Sequence, residues 1–279
     1  MLGQDLVSRL RRDGATVAPL ARRDLDITDD DDVRGAFRRI RPDVVVNCAA
    51  WTAVDDAEAR EAEALAVNGR GPASIAAACA SSGARLVQVS TDYVFDGIAQ
   101  RPYAEDAVPA PRTAYGRTKL AGEAAVLGQR GCTSYVIRTA WLYGAAGPNF
   151  VRTMIRLERE RPYLDVVDDQ YGQPTWTLDV ADQIVALIES DSAPGAYHAT
   201  SSGQTTWCGL AREVFRLLGA DPARVRAIAS GALDRPASRP AYSVLGHDRW
   251  AQADIAPIGT WQSCISKAFP ALAAAEAAG

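Results

Sequence analysis

The chain has 279 residues, which suits one large α/β domain or one domain with a smaller lobe. Its 30 basic and 34 acidic side chains give a net charge of −4 without any basic block, which argues against a nucleic-acid partner. Five scattered cysteines without a C-x-x-C pair argue against a disulfide framework, and no apolar run suits a membrane span or signal peptide, so we expect a soluble cytoplasmic protein.

The first half of the chain alternates helical and strand patterns. Strands are predicted at 15–20, 43–50, 85–90 and 134–139. The apolar run at 43–50 is typical of a parallel strand buried on both faces. Helices are predicted at 2–12, from a cap at Thr28 or Asp29 to Pro42, at 57–82 with a break near 69–72, and after Tyr115.

After Trp141 the regular alternation of helix and strand patterns gives way to helices, short strands and loops. Helices are predicted at 149–160, 179–188, 206–218 and 261–269, strands at 164–167 and 196–199, and loops at 168–175 and 235–240. We expect residues 1–145 to form a dinucleotide-binding domain whose first strand is missing. Residues 146–279 are expected to form mainly a substrate-binding lobe, with elements that return to the sheet.

Alternation of this kind predicts an α/β fold with a doubly wound parallel sheet, similar to the NAD(P)-binding Rossmann fold. Ligands bind such sheets beyond the carboxyl ends of the strands. The predicted strand and loop ends bring four groups of residues to that edge: Asp26 and Ile27; Ala49, Ala50, Trp51 and Thr52; Ser90, Thr91 and Asp92; Thr139, Ala140 and Trp141.

The beginning of the chain departs from this pattern. A dinucleotide-binding sheet normally opens with a strand and a glycine-rich turn at the head of the first helix. This sequence opens with the helix, and Gly3 stands where the last glycine of such a turn would fall, although it could be only an N-terminal glycine. We expect the 279-residue chain to lack the central strand and most of the pyrophosphate loop, and hence to be poorly stable and to bind nucleotide weakly.

The strongest chemical pattern is Tyr115 followed four residues later by Lys119, which places both side chains on one face of a helix. A nearby ammonium lowers the pKa of a tyrosine, whose phenol can then exchange a proton with an alkoxide or alcohol. An ordinary surface pair is the alternative. Only Lys119 and Lys267 are lysines among the thirty basic residues, so the spacing favours the catalytic interpretation.

Other polar residues carry weaker signals. His198 and His247 are far apart and have no metal-ligand spacing, so both are interpreted as structural. Residues 168–170 could form a metal site, but we interpret them as a polar loop. We therefore predict no metal ligands. Arg235 and Arg239, spaced by prolines, suit either solvated charges or bidentate recognition of a phosphate, and both alternatives stay open.

Several segments together resemble the dTDP-4-dehydrorhamnose reductase family, a group of extended short-chain dehydrogenases/reductases. The resemblance extends from Gly3 to about Trp261. Its motifs are Val46 to Ala50 with Asp55 and Asn68, Ser90 to Gly97, Tyr115 to Glu123, Arg138 to Gly144, and the Arg-Pro pairs at 235–236 and 239–240. Trp51 stands where histidine or tyrosine is expected.

The resemblance implies that NADPH or NADH delivers hydride to C4 of dTDP-4-dehydro-β-L-rhamnose, giving dTDP-β-L-rhamnose. Tyr115 would protonate the C4 oxygen, Lys119 would hold the nicotinamide ribose, and Thr91 would hydrogen-bond the keto oxygen. Cofactor contacts are expected from Gly3, Asp26, Ile27, Ala49, Ala50, Trp51, Thr52, Tyr115 and Lys119. Substrate contacts are expected from Thr91, Asp92, Trp141, Arg235 and Arg239.

The sequence leaves the exact substrate, the choice of nicotinamide cofactor, the metal requirement and the oligomeric state open. The substrate could be another dTDP-4-keto-sugar, such as a dihydrostreptose-type precursor, and the chain could be a non-catalytic regulatory subunit. Arg22 and Arg23 could meet the 2′-phosphate that distinguishes NADPH from NADH, or be surface residues. Some family members are described with Mg²⁺, for which this sequence offers no clear ligand set, and a homodimer is not indicated by any periodicity.

Overall fold

The computed structural model of the protein describes residues 1–277, so the last two residues of the predicted lobe 146–279 lie outside the described residues. Its main sheet has four parallel strands in the order β1-β2-β3-β8. These strands are Val44–Asn47, Arg85–Thr91, Ser134–Thr139 and Gly195–His198. The α/β fold with a parallel sheet is thereby confirmed.

Eleven α-helices occur in the described residues. They are α1 Leu2–Arg12, α2 Asp30–Ile40, α3 Val54–Ala59, α4 Glu61–Leu65, α5 Gly71–Ser82, α6 Ala114–Gly128, α7 Phe150–Glu160, α8 Thr177–Glu189, α9 Trp207–Leu217, α10 Asp248–Gln252 and α11 Trp261–Ala277. The short strands are β4 Leu142–Tyr143, β5 Leu164–Val167, β6 Tyr171–Gly172, β7 Thr175–Trp176, β9 Thr205–Thr206 and β10 Val225–Ile228.

Helices cover both faces of the main sheet, because the strand side chains are apolar on both sides. Helices α1 and α8 pack on one face, where Leu6 and Ile184 meet Val87 and Ile137. Helices α2, α5 and α6 cover the other face in a second buried cluster: Val33, Ile75, Leu86, Val126 and Val136. The sheet edge beyond the strand ends is thereby left open for a site.

The strand predicted at 15–20 is wrong. These residues follow α1 as irregular, mostly exposed backbone, and none of the strands in the described residues pairs with them. A segment forms a strand only where a neighbouring strand pairs with its backbone N–H and C=O groups. The same reason explains β1, which was expected to be buried on both faces but pairs only with β2 and keeps Val44, Val45 and Val46 partly exposed.

Three other boundaries differ from the sequence pattern. The predicted break near 69–72 is a π-helical turn at Ala66–Arg70 that leads directly into α5, with Pro72 tolerated in its first turn. The predicted loop 168–175 contains β6 and the first residue of β7. Helix α11 continues past Phe269 through Pro270 to Ala277.

The C-terminal half builds a further apolar cluster around α7, α9 and α11. Phe215 and Ile265 lie at its centre, and the parallel pair β5 and β10 closes one side. Strand β10 and helix α10 had no predicted counterpart. Within residues 1–277, no helix is both long and apolar enough to cross a bilayer.

Candidate active site

Thr91, Asp92 and Tyr115 meet at the carboxyl end of β2. Thr91 Oγ1 donates to Asp92 Oδ1 at 2.9 Å and accepts the Tyr93 backbone N–H at 3.2 Å. Burial raises the pKa of Tyr115 to about 12, while hydrogen bonding with Thr91 acts to lower it. The hydroxyls expected to act on a keto oxygen are therefore neighbours.

The local sequence sets the position of Tyr115. The Thr113 side chain caps α6 by accepting the Gly116 N–H at 3.0 Å, so the helix begins just before the tyrosine. A Cβ at Gly116 would collide with the Tyr93 carbonyl oxygen, so only glycine lets this turn approach β2 so closely. The Tyr93 and Tyr115 rings meet edge to face, with centroids 5.6 Å apart.

Lys119 lies one turn further along α6 and is 3% exposed. Its Nζ donates to the Val89 carbonyl at 2.7 Å, and burial lowers its pKa to about 8, opposed by the charge of Glu123. In this arrangement the ammonium faces β2, and the group that acts to lower the Tyr115 pKa is the Thr91 hydroxyl. Lowering of that pKa by Lys119 stays a prediction.

The segment after β1 is fixed at the same edge. Asn68 Oδ1 accepts the Trp51 N–H at 2.8 Å, and its Nδ2 donates to the Trp51 carbonyl at 3.1 Å. The Ala49 N–H is held by Asn47 Oδ1 at 3.1 Å. These bonds fix the irregular backbone on both sides of Ala50, and exposed Thr52 follows it.

Three more predicted cofactor residues are Gly3, Asp26 and Ile27. Gly3 lies in the first turn of α1, where an added Cβ would be 3.7 Å from Cys48, the residue after β1. Ile27 packs on Gly71 at the start of α5, where any added side chain would collide with it. Asp26 is exposed, accepts the Thr28 N–H and hydroxyl, and has a pKa lowered chiefly by the hydroxyl.

The predicted substrate residues approach from the C-terminal half. Trp141 has a left-handed backbone with φ of 45° and stacks on Trp207, with ring centroids 3.6 Å apart. Arg239 binds Asp55 through two bonds of 2.9 and 2.7 Å, which pins its loop to α3. Arg235 is exposed in the same loop and acts electrostatically on Asp55.

A cavity of about 200 Å³ lies between Tyr93, Thr113 and Arg239. Arg112 also lines it, although sequence reasoning did not single this residue out. A larger cavity of about 580 Å³ lies at the starts of β3 and β8, the opposite ends of these strands, and is unrelated to this cluster.

The sequence pattern brought Ser90 and Thr139 to this edge but assigned neither of them a role in the site. The hydroxyls of Ser90 and Thr139 are buried without a hydrogen-bond partner. Both stand in motifs already singled out, so their motif position was the available signal. Ser243, next to Asp92 and acting to lower its pKa, comes from a loop with no sequence signal.

The polar loop at 168–170 is held by ordinary hydrogen bonds. Asp168 accepts the Thr206 hydroxyl, and Asp169 accepts the Ser230 N–H and hydroxyl. In the part of the chain that the structure describes, no group of three His, Cys, Asp or Glu side chains could hold a metal ion.

Comparison with known proteins gives a consistent result. Residues 1–273 match the family model described as the RmlD substrate binding domain. A dTDP-4-dehydrorhamnose reductase of Streptomyces griseus is 56% identical over 98% of this chain and 91% of that protein. A dTDP-4-keto-6-deoxy-D-glucose reductase of Streptomyces niveus is 54% identical over 99% of this chain and 96% of that protein.

The solved structures agree with these sequence relatives. The crystal structure of a dTDP-4-dehydrorhamnose reductase of Bacillus anthracis in complex with NADP has a TM-score of 0.93 and is 34% identical. The match covers 96% of this chain and 95% of that chain.

Proposed function

The chain belongs to the dTDP-4-dehydrorhamnose reductase family, and from this premise we propose that it reduces the C4 keto group of dTDP-4-dehydro-β-L-rhamnose to give dTDP-β-L-rhamnose. The reductant would be NADPH or NADH. The main support for the proposal is the hydrogen bond between Thr91 and Tyr115 at the carboxyl end of β2. The family resemblance predicts that the keto group is reduced at this place.

The residues at this edge fit a nicotinamide nucleotide. Helix α1 begins without a side-chain cap beside Cys48, and the positive end of a helix dipole suits a phosphate. Buried Ser90 and Thr139 have unused hydroxyls that a polar ligand could engage. We propose that Gly3 lies by the pyrophosphate.

The remaining cofactor contacts follow the edge of the sheet. Asp26 and Ile27 would flank the adenine, and Ala49, Ala50, Trp51 and Thr52 would line the ribose and nicotinamide. Lys119 would hold the nicotinamide ribose, because its pKa of about 8 keeps most of the ammonium protonated at neutral pH. We assign cofactor binding to residues 1–145 and mainly substrate binding to residues 146–279.

On the substrate side, Trp141 and Asp92 would contact the sugar, and Arg235 would lie near the diphosphate. Arg239 is already engaged by Asp55, so it would hold the loop and offer its remaining N–H groups to an oxygen of the diphosphate. Guanidinium groups of this kind suit a diphosphate better than a neutral ligand.

When bound, the reduced nicotinamide supplies the hydride that C4 receives. Tyr115 would give its hydroxyl proton to the C4 oxygen, so that an alcohol forms instead of an alkoxide. Thr91 would donate a hydrogen bond to the same oxygen and stabilise the charge that develops there. The cluster Ala57, Ala64 and Ala114, against which Trp51 and Tyr115 pack, would exclude water from one side.

A second candidate is reduction of another dTDP-4-keto-6-deoxy sugar. It is favoured by the similarity of the Streptomyces niveus enzyme, at 54% identity only slightly below the Streptomyces griseus relative. The two substrates share the dTDP group and the C4 ketone, so the same Tyr115 and Thr91 would serve both.

The proposal is tested by following NADPH oxidation with dTDP-4-dehydrorhamnose and identifying the product by NMR. We expect stoichiometric formation of dTDP-rhamnose, and loss of most turnover in Tyr115→Phe with sugar-nucleotide binding retained. Turnover only with dTDP-4-keto-6-deoxy-D-glucose would favour the second candidate. A folded protein that binds NADPH and oxidises it with neither sugar would favour a non-catalytic binding subunit.

A further inference from the structure

The Thr91 hydroxyl has a single proton, and in this structure that proton is given to Asp92. A hydroxyl can donate once and accept twice. Thr91 already accepts the Tyr93 N–H, so it can donate to a keto oxygen only if the bond to Asp92 is released or reversed. An ionised carboxylate, which only accepts hydrogen bonds, competes directly with the substrate for this proton.

Protonated Asp92 would reverse the bond. Once the Tyr115 hydroxyl turns from Thr91 to the keto oxygen, the carboxylic acid O–H of Asp92 could donate to Thr91 Oγ1. The Thr91 proton would then be free for the same keto oxygen. Neutral Asp92 would also help Tyr115, because the negative charge of Asp92 raises the Tyr115 pKa and makes it a weaker acid. Both effects favour reduction when Asp92 carries a proton.

The surroundings of Asp92 favour that protonated state. The side chain is 3% exposed, and its Oδ2 has no hydrogen-bond partner. Within residues 1–277 no basic side chain forms an ion pair with it. Burial raises its pKa to about 6, while the hydroxyls of Ser243 and Thr91 act to lower it.

The groups that face Asp92 come from three segments. Tyr93 follows it in the chain, Tyr115 comes from α6, and Ser243 comes from the loop before α10. Arg235 and Arg239 act on Tyr93 from outside this group. A nucleotide diphosphate bound by these arginines would add negative charge nearby and favour protonation of Asp92 further.

We infer that Asp92 is a positioning residue that works in its protonated form, turning the Thr91 hydroxyl toward the keto oxygen of the bound sugar. This inference rests on the proposed reductase function. The hydride adds to C4, the Tyr115 proton moves to the C4 oxygen, and the Asp92 proton stays on the enzyme throughout.

The first test is the pH dependence of kcat with NADPH and dTDP-4-dehydrorhamnose both saturating. In the wild type, kcat should fall by up to tenfold for each pH unit above the pH at which Asp92 loses its proton. Asp92→Asn, which always has N–H donors and cannot ionise, should lose this decrease whatever its absolute rate. Asp92→Ala, without a donor, should be slower than Asp92→Asn at every pH.

Two further variants separate Asp92 from other groups. Ser243→Ala removes a hydroxyl that stabilises the carboxylate, so the decrease should move to higher pH. The residual kcat of Tyr115→Phe should still decrease as the pH rises, because the ionisation of Asp92, not that of Tyr115, causes the decrease. A decrease that persists in Asp92→Asn, or a flat wild-type profile, overturns the inference while leaving the reductase function intact.

A second measurement does not need turnover. In the complex with NADP and dTDP, a ¹³C NMR titration should show the Asp92 carboxyl ionising at or above about pH 6, and at higher pH in Ser243→Ala. A carboxyl that is ionised throughout the range overturns the inference, even if the sugar tested is not a substrate.

Discussion

Asn68 holds the backbone of Trp51 from both sides, accepting its N–H at 2.8 Å and donating to its carbonyl at 3.1 Å. The Asn68 side chain is 1% exposed, and its Nδ2 also contacts Thr118 Oγ1 at 3.1 Å. Asn68 lies in the π-helical turn, so that irregular turn, the segment after β1 and helix α6 are joined through one amide.

Replacing Asn68 by alanine should therefore weaken cofactor binding. The variant leaves the backbone of Trp51 without two bonds, each worth about 1 kcal/mol, and frees the segment expected to line the nicotinamide. We expect the Kd for NADPH, measured by titration calorimetry, to rise roughly tenfold or more. Thr118→Val spares both bonds between Asn68 and Trp51, so it should change the Kd for NADPH much less. An equal loss of affinity in the two variants would contradict the role of Asn68 in holding Trp51.

A substitution at Gly116 should damage turnover more than folding. An alanine Cβ there would push against the Tyr93 carbonyl and move the first turn of α6 away from β2. Because a misplacement of about 1 Å can cost roughly a hundredfold in rate, kcat of Gly116→Ala should fall by about tenfold to a hundredfold.

Gly128→Ala is the matched control at the other end of α6. Nothing lies within 4 Å of a Cβ at that position, so alanine should leave kcat unchanged and add slightly to helix stability. Steady-state rates and thermal melts of both variants check the comparison. A Gly116→Ala enzyme with wild-type kcat would show that the position of Tyr115 does not depend on this contact.

The sequence predicted the elements whose pattern is local. The strand pattern at 85–90, the four-residue spacing of Tyr115 and Lys119, and the helix pattern at 2–12 each correspond to an element of the structure. Residues 15–20 show the limit of this reasoning. Their composition suggested a strand, but a strand depends on a partner that a local pattern does not contain.

The sequence likewise predicted only part of the candidate site. Residue types and strand ends brought Thr91, Asp92 and Tyr115 to one edge. Sequence could not predict that Ser243 would reach Asp92, since this contact is made between segments far apart in the chain. Nor could it predict that Lys119 would donate to Val89, because the direction of a buried ammonium depends on packing.

The buried pair of Glu123 and Arg138 should be essential for stability. The two side chains are 2% and 5% exposed and are joined at 2.8 Å between Arg138 Nη2 and Glu123 Oε2. Glu123→Ala leaves the arginine charge buried without its partner, which typically costs about 3 to 5 kcal/mol. Urea unfolding should show a loss of this size.

Asp165→Ala provides the exposed counterpart. It breaks the ion pair with Arg226, in which the Asp165 and Arg226 side chains are 45% and 51% exposed. Because solvent screens such a pair, the free energy of unfolding should change far less than in Glu123→Ala. If both variants lose the same small amount, the buried pair contributes no more than a surface one.

Acid should destabilise the protein through His198. This side chain is fully buried, and burial together with the nearby Arg138 charge lowers its pKa from 6.5 to about 3. The folded protein therefore keeps the ring neutral where the unfolded chain protonates it, so the free energy of unfolding decreases as the pH falls from 6.5 towards 3. Each pH unit in this window can remove up to about 1.4 kcal/mol.

His198→Gln removes this proton linkage and keeps a polar side chain beside Arg138. Its free energy of unfolding, measured in urea at a series of pH values, should fall less steeply than that of the wild type below pH 6.5. The difference between the two curves isolates His198, because carboxyl groups such as Asp92 contribute equally to both. Parallel curves would mean that the ring accepts its proton as readily in the folded protein as in the unfolded chain, which its contact with the Arg138 guanidinium argues against.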